Sequence, residues 1–95
     1  MTVEEFTASL HSNTPPEGLS LPVQSLWHDG KGNWKTAHDL INDEEEEPQC
    51  MWVHAYLHRK EGDNFNAGYW YKKAGKPFSK APLEIEWETI LMTLL

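Results

Sequence analysis

Hydrophobic side chains along this chain recur every three or four residues, the interval of one face of a helix, and no stretch alternates as a half-buried strand does. Glycine and proline separate the successive apolar segments, as is typical of helix ends. We therefore expect an all-α fold. The pattern predicts six helices: Val3–Leu10, a second between Ser20 and Gly30, a third from Asn33 to the acidic run before Pro48, a fourth from Pro48 to about Lys60, a fifth between Asp63 and Gly75, and a last one from Pro82 onward.

Several of these predicted helix ends carry residues with a local physical reason to be there. Thr2 is followed three positions later by Glu5, the spacing of a capping box. Pro22 and Pro48 fall in first helical turns, where the missing N–H is not needed. The segment 13–18 collects turn formers and helix breakers, and we expect it to be irregular.

Short glycine turns between the predicted helices indicate antiparallel hairpins within a single domain, 1–95. We divide the chain into an N-terminal helix and loop (1–19), a first hairpin (20–47), a second hairpin (48–77) and a capping helix (78–95). A shift of 30 residues aligns turn, cap and inner-face positions of the two hairpins, which predicts one hairpin used twice. The aligned pairs are His28 with His58, Gly32 with Gly62, Asn33 with Asp63, Ala37 with Ala67, Leu40 with Trp70 and Ile41 with Tyr71.

The second hairpin, Met51–Pro77, resembles a tetratricopeptide-type helical hairpin, and with a weaker match of the first hairpin through Gly32, Ala37 and Ile41 the resemblance covers roughly residues 20–77. The matching residues are Ala55 in its first helix, Gly62 at the turn, and Ala67, Tyr71 and Ala74 in its second helix. The period of 30 is shorter than the family's, which is about 34. The resemblance implies a peptide-binding groove along the second and fourth helices. The run HAYLHRKEGDNFNAGYWYKKAGKP also resembles a family of small proteins without an assigned activity.

Composition and charge narrow the classes of partner. The 95 residues suit one domain, and a net charge of −7 disfavours nucleic acid and anionic membranes as partners. Six of the eight basic residues but only two acidic ones lie between Arg59 and Lys80, so this segment carries +4 and the remainder −11. The basic side chains of this segment either complement the negative C-terminal end of a helix dipole or form a surface for an acidic partner or a second copy of the chain. Without a secretory signal or a long apolar run, we expect a cytoplasmic protein.

The single cysteine, Cys50, excludes an internal disulfide and a multi-cysteine zinc site, and its acidic surroundings argue against a nucleophile. His54 and His58 are four residues apart, and Glu61 extends the same side of the fourth helix. His28 could approach from the neighbouring hairpin. HAYLH lacks the glutamate of the HExxH protease signature, so proteolysis is not indicated. Packing, a ligand groove and a metal site all remain open for these histidines, and packing is favoured.

The turn after the fourth helix is rich in polar residues. Arg59 could bind a carboxylate or phosphate through its planar guanidinium, or could pair with an acidic neighbour. Asp63 is positioned to cap the fifth helix. In the sequence Tyr69-Trp70-Tyr71, consecutive side chains point about 100° apart, which places Trp70 and Tyr71 inward and Tyr69 toward solvent or another chain.

These observations favour a non-catalytic helical-hairpin module that binds a protein or peptide partner or forms a homodimer. The candidate binding residues are His28, His54, His58, Arg59, Glu61, Asp63, Asn66 and Tyr69. We assign no catalytic residue, metal ligand or cofactor from the sequence. The alternative is a small metal-dependent or histidine-based enzyme or ligand binder centred on His28, His54 and His58.

Overall fold

The computed structural model describes residues 1–95 and contains six α-helices and no β-strand, which confirms the all-α prediction with six helices. The third helix ends before the acidic run, because five consecutive carboxylates (43–47) repel one another and are poorly accommodated in a helix. The helices are α1 (Val3–Ser9), α2 (Leu21–Gly30), α3 (Trp34–Ile41), α4 (Pro48–Lys60), α5 (Asn64–Ala74) and α6 (Leu83–Leu94).

The predicted capping residues stand at the helix ends, although not all of them cap through their side chains. The Thr2 hydroxyl accepts a hydrogen bond from the Glu5 amide at 3.0 Å, and the Glu5 carboxylate accepts one from the Thr2 amide at 2.9 Å, which completes the capping box. Asp63 accepts a hydrogen bond from the Asn66 amide at the start of α5. Ser20 and Asn33 occupy the N-cap positions of α2 and α3, but their side chains make no capping hydrogen bond.

The turns of the two hairpins have the same backbone structure, 30 residues apart. The carbonyl of His28 accepts a hydrogen bond from the amide of Asn33 at 2.9 Å, and the carbonyl of His58 accepts one from the amide of Asp63 at 2.9 Å. Gly32 and Gly62, with φ of 82° and 88°, supply the left-handed conformation that these turns require. The inner-face residues Ala37 and Ala67 are both fully buried. The hairpins therefore share the turn and inner-face positions that the aligned sequence predicts.

Helix α4 lies at the centre of the molecule, with seven of its 13 residues buried, and packs against α2, α3, α5 and α6. Helix α6 packs against both α2 and α4. The Trp87 indole of α6 donates a hydrogen bond to the Leu26 carbonyl at 3.0 Å, and its ring packs on Phe6 of α1. The chain's own last helix therefore covers part of α2 and α4, the two helices along which the tetratricopeptide resemblance implies a groove.

None of the six helices has the length and apolar character needed to cross a membrane. The longest, α4, has 13 residues, whereas a crossing takes about 20.

Candidate metal centre

Three imidazoles from two helices converge at the interface between the hairpins. His38 extends from α3, and His54 and His58 extend from α4. The Nε2 atoms of His38 and His54 are 3.1 Å apart. One ring nitrogen from each of the three histidines can be chosen so that all lie within 4.8 Å of one another. The centre is therefore built from the second helix of the first hairpin and the first helix of the second.

The sequence of α4 places two of the rings on one side of the helix. His54 and His58 are four residues apart, so their side chains lie one above the other, and the rings stack with centroids 4.8 Å apart. Helix α3 packs against this side of α4 and carries His38 toward it. The convergence thus requires the α3–α4 packing as well as the helical spacing.

Two tryptophans hold the rings in place. Trp34, one turn before His38, stacks on its imidazole with centroids 4.9 Å apart, and Trp70 of α5 stacks on His54 at 4.1 Å. The Trp34 indole is itself fixed by donating a hydrogen bond to the Leu57 carbonyl at 2.8 Å. Rings held between flat neighbours lose little further rotational freedom when they bind a ligand, which favours preorganised binding.

A carboxylate defines the orientation of the third ring. Nδ1 of His58 lies 2.7 Å from a carboxylate oxygen of Glu61, which reaches back from the turn after α4. This contact favours a proton on Nδ1, and the neutral ring with that tautomer has its lone pair on Nε2, the atom that a metal would bind. Carboxylates play this role behind metal-bound histidines in many sites, where they fix the tautomer and raise the ligand's basicity.

The environment keeps the buried ring uncharged. Burial, together with the neighbouring His58 and His38, lowers the pKa of His54 to about 3. Burial and the adjacent His58 also lower the pKa of His38 below its usual range. Imidazole binds a metal through the neutral form, so a depressed pKa keeps protons from competing for the ligand atom near neutral pH.

The spacing fits the dimensions of a zinc-type centre. Two nitrogens bound tetrahedrally at about 2.0 Å are separated by about 3.3 Å, close to the 3.1 Å between His38 Nε2 and His54 Nε2. The third nitrogen lies at most 4.8 Å from these two, so binding an ion would bring it closer by at most roughly 1.5 Å. His54 is buried, whereas the side chains of His38 and His58 are 18% and 12% exposed, so an ion can reach the centre from their side.

The structure places His28 away from this centre, contrary to the expectation that it would join His54 and His58. Its ring lies edge-on to the neighbouring Trp27 with centroids 5.1 Å apart, and the ligand cluster contains His38 in its place. The 30-residue alignment pairs His28 with His58 because each lies two residues before the end of the first helix of its hairpin. Equivalent positions of two stacked hairpins do not face each other, and the second helix of one packs on the first helix of the next.

Arg59 does not present a free guanidinium to an anionic ligand, contrary to one of the two roles expected for it. It donates to the buried carboxylate of Glu86 on α6 at 2.7 Å and to the carbonyl of Ala81. Tyr71 donates to the other oxygen of the same carboxylate at 2.5 Å. Arg59 therefore ties α4 to α6 as part of a buried polar network.

The remaining candidate residues line the turn and the outer side of α5. Asp63 accepts hydrogen bonds from both the amide and the side chain of Asn66, and so serves the helix start. Tyr69 is exposed, while Trp70 and Tyr71 are buried, as their spacing predicts. Cys50 is buried, and burial together with Glu44 and Glu47 raises the pKa of its thiol to about 11.

His38 is the member of the centre that sequence reasoning missed. It lies beside the apolar stripe of α3 and one turn after Trp34, a position that would place its ring at the helix–helix interface. This position on α3 is the feature of the sequence that could have identified His38. Neither a protein-family model, nor a curated protein, nor a solved structure matches this chain, so the proposal below depends on the geometry of the centre.

Proposed function

We propose that this protein binds one transition-metal ion of the zinc class, with imidazole nitrogens of His38, His54 and His58 as its ligands. The observation that carries the proposal is the convergence of three imidazoles, with the Nε2 atoms of His38 and His54 3.1 Å apart and the Glu61 carboxylate in contact with the ring of His58. Imidazole ligands suit zinc, copper, nickel and iron. Three protein ligands leave a coordination position for water or a small donor molecule, the arrangement of catalytic rather than structural zinc sites.

A purely packing role for the histidines explains less of the geometry. A hydrogen bond between His38 and His54 accounts for one pair of nitrogens but not for the third ring or the Glu61 contact. Burial of His54 and His38, whose pKa values are lowered, also costs stability at a pH where these rings are protonated in the unfolded chain, whereas apolar side chains would pack without that cost. A metal ion gives a reason to gather three imidazoles at one place.

Isothermal titration calorimetry with zinc chloride, after treatment with a chelator, tests the proposal. We expect one ion per chain in the unaltered protein. His38→Ala and His58→Ala should each weaken binding by at least about tenfold, as expected for loss of a ligand. His28→Ala is the matched control, because His28 has the same residue type and lies outside the cluster.

A second measurement keeps the test valid if a variant folds poorly. In the unaltered protein, zinc should shift the NMR signals of the ring nitrogens of His38, His54 and His58 and leave those of His28 and the exposed His11 unchanged. Absence of binding heat, or equal weakening by His28→Ala and His38→Ala, contradicts the proposal.

Binding of a protein or peptide partner, the function favoured by the sequence, is a second candidate. It is supported by the outer side of α5, where Phe65 and Tyr69 are 87% and 54% exposed. This surface differs from the groove that the tetratricopeptide resemblance implies. A pull-down with the unaltered protein and with Phe65→Ala tests it, and equal recovery of every captured protein counts against it.

A further inference from the structure

The outer side of α5 is the most exposed aromatic surface of the molecule. Helix α5 packs chiefly against α4, and its opposite side carries Phe65, Gly68, Tyr69 and Lys72, which share one face at about 100° per residue. Phe65 is 87% exposed, more than any other large hydrophobic residue of the chain. We refer to these four residues as the α5 face.

No contact within the chain requires residue 68 to be a glycine. It lies within a helix, where glycine costs about 1 kcal/mol relative to alanine. A methyl group added there would meet only one side-chain atom, of Phe78, at 4.0 Å, and the backbone at Gly68 has no positive φ. Neither crowding nor strain within the chain therefore requires a glycine. A second helix that approaches this face closely would require one, because the residues at the contact set the distance between helix axes.

The charges around α5 are distributed by position along its axis. Glu61 and Asp63 precede its first residue, and Lys72, Lys73 and Lys76 lie at or beyond its last turn, while the helix itself contains no acidic residue. Arg59 and Lys60, which come just before Glu61, are already paired with Glu86 and Asp29. A second α5 in the antiparallel direction would place its basic end beside this acidic end, and the reverse. A parallel arrangement would place like charges together. Antiparallel helix dipoles also attract one another.

From these observations we infer that the α5 face is a homodimer interface, at which a second copy of this chain crosses α5 in the antiparallel direction. With the twofold axis beside Gly68 and Tyr69, Phe65 faces Lys72 of the second copy and Tyr69 faces Gly68 of the second copy. The first pair combines an aromatic ring with a cation, and the second places a large side chain over a glycine. Each contact occurs twice, as an isologous interface requires.

The predicted dimer is weak. An 11-residue helix is about 16 Å long, so the interface is smaller than that of a standard stable complex. The net charge of −7 on each chain also opposes association. We expect a dissociation constant of roughly 10 to 100 µM.

Sedimentation equilibrium up to about 1 mM protein tests the interface, well above the expected dissociation constant. The unaltered chain should change from monomer to dimer with concentration. Phe65→Ala and Lys72→Glu should each weaken the dimer at least about tenfold, because each removes the aromatic–cation contact from both ends of the interface. Met92→Ala is the matched control, because Met92 is 63% exposed but lies on α6, and it should leave the dimer unchanged.

Gly68→Ala gives the most specific test, because it should stabilise the monomer and weaken the dimer. It should raise the thermal midpoint of the monomer, because alanine favours the helix. It should also weaken the dimer at least about tenfold, because the methyl group occupies the space of the approaching helix. A chain that remains monomeric at every concentration, a dimer unaffected by Gly68→Ala, or equal weakening by Met92→Ala and Phe65→Ala would overturn the inference.

Discussion

His54 combines deep burial with a titratable ring, and this makes the stability of the metal-free protein depend on pH. In the unfolded chain the ring titrates near its ordinary value of 6.5, whereas burial and the two neighbouring histidines lower its pKa to about 3 in the folded state. Between these values the unfolded state holds a proton that the native state does not. The free energy of unfolding therefore falls as the pH falls through this window, by up to about 1.4 kcal/mol per pH unit.

Urea unfolding in the presence of a chelator, from pH 7 to pH 4.5 or so, measures this slope. His54→Leu should flatten it, since a leucine takes up no proton in either state. His11→Gln is the control, because His11 is exposed and its substitution should leave the slope unchanged. If the unaltered protein and His54→Leu lose stability in parallel as the pH falls, protonation of His54 in the unfolded chain is not the cause of the loss.

Glu61 is predicted to act on the metal through His58. Its carboxylate contacts Nδ1 of the ring and is 38% exposed, so Glu61→Gln should leave the fold almost unchanged. The substitution should weaken zinc binding about 10- to 100-fold, because the ring loses the partner that fixes its orientation and raises its basicity. Zinc titration followed by calorimetry measures the change, with Glu88→Gln on α6 as a charge-matched control. Equal affinities for the two variants would refute this role.

The residues of the centre differ in how far the sequence predicts them. The i, i+4 spacing of His54 and His58 and the position of Glu61 follow from helical periodicity alone. The participation of His38 depends on which side of α3 faces α4, a tertiary property that no local pattern contains. The internal repeat indicated His28 instead, because an alignment of equivalent positions does not show which positions are in contact.

At the scale of the elements, the buried pair of Arg59 and Glu86 holds α4 and α6 together. The side chains are 14% and 5% exposed, and the guanidinium donates to the carboxylate at 2.7 Å. Arg59→Met leaves a buried carboxylate without its cation and should lower the free energy of unfolding by about 3 to 5 kcal/mol. Urea unfolding measures this loss.

The double variant Arg59→Met, Glu86→Leu separates this cause from lost packing. It removes the unpaired charge together with its partner and should recover most of the stability, because a buried ion pair contributes little net free energy over apolar side chains. A double variant as unstable as Arg59→Met would show that the uncompensated charge is not the cause.

The helix boundaries were largely predictable, and the packing of the helices was not. The Thr2 capping box and the glycine turns at Gly32 and Gly62 act within a few residues, so sequence patterns indicate them directly. The position of α6 across α2 and α4 depends on contacts such as Trp87 with Leu26, 61 residues apart in the chain. For this reason the contacts of α6 with α2 and α4 could not be predicted from local patterns.

For the whole molecule, the proposed metal ion would join the two hairpins. His38 belongs to α3 of the first hairpin, and His54 and His58 belong to α4 of the second. An ion that binds only the folded state should stabilise it by about 2.7 kcal/mol at a free concentration 100 times its dissociation constant. The thermal midpoint should rise accordingly.

Thermal unfolding with increasing zinc measures this stabilisation. The midpoint of His28→Ala should rise as in the unaltered protein, and that of His38→Ala should not. If zinc raises both midpoints equally, the ion binds elsewhere and does not join the hairpins through His38.

A crystal structure of the zinc-soaked protein, with anomalous diffraction recorded on both sides of the zinc absorption edge, would locate the ion. We expect one anomalous peak about 2.0 to 2.1 Å from an imidazole nitrogen of each of His38, His54 and His58. The absence of any peak, or a peak bound by other residues alone, would contradict the proposed metal centre.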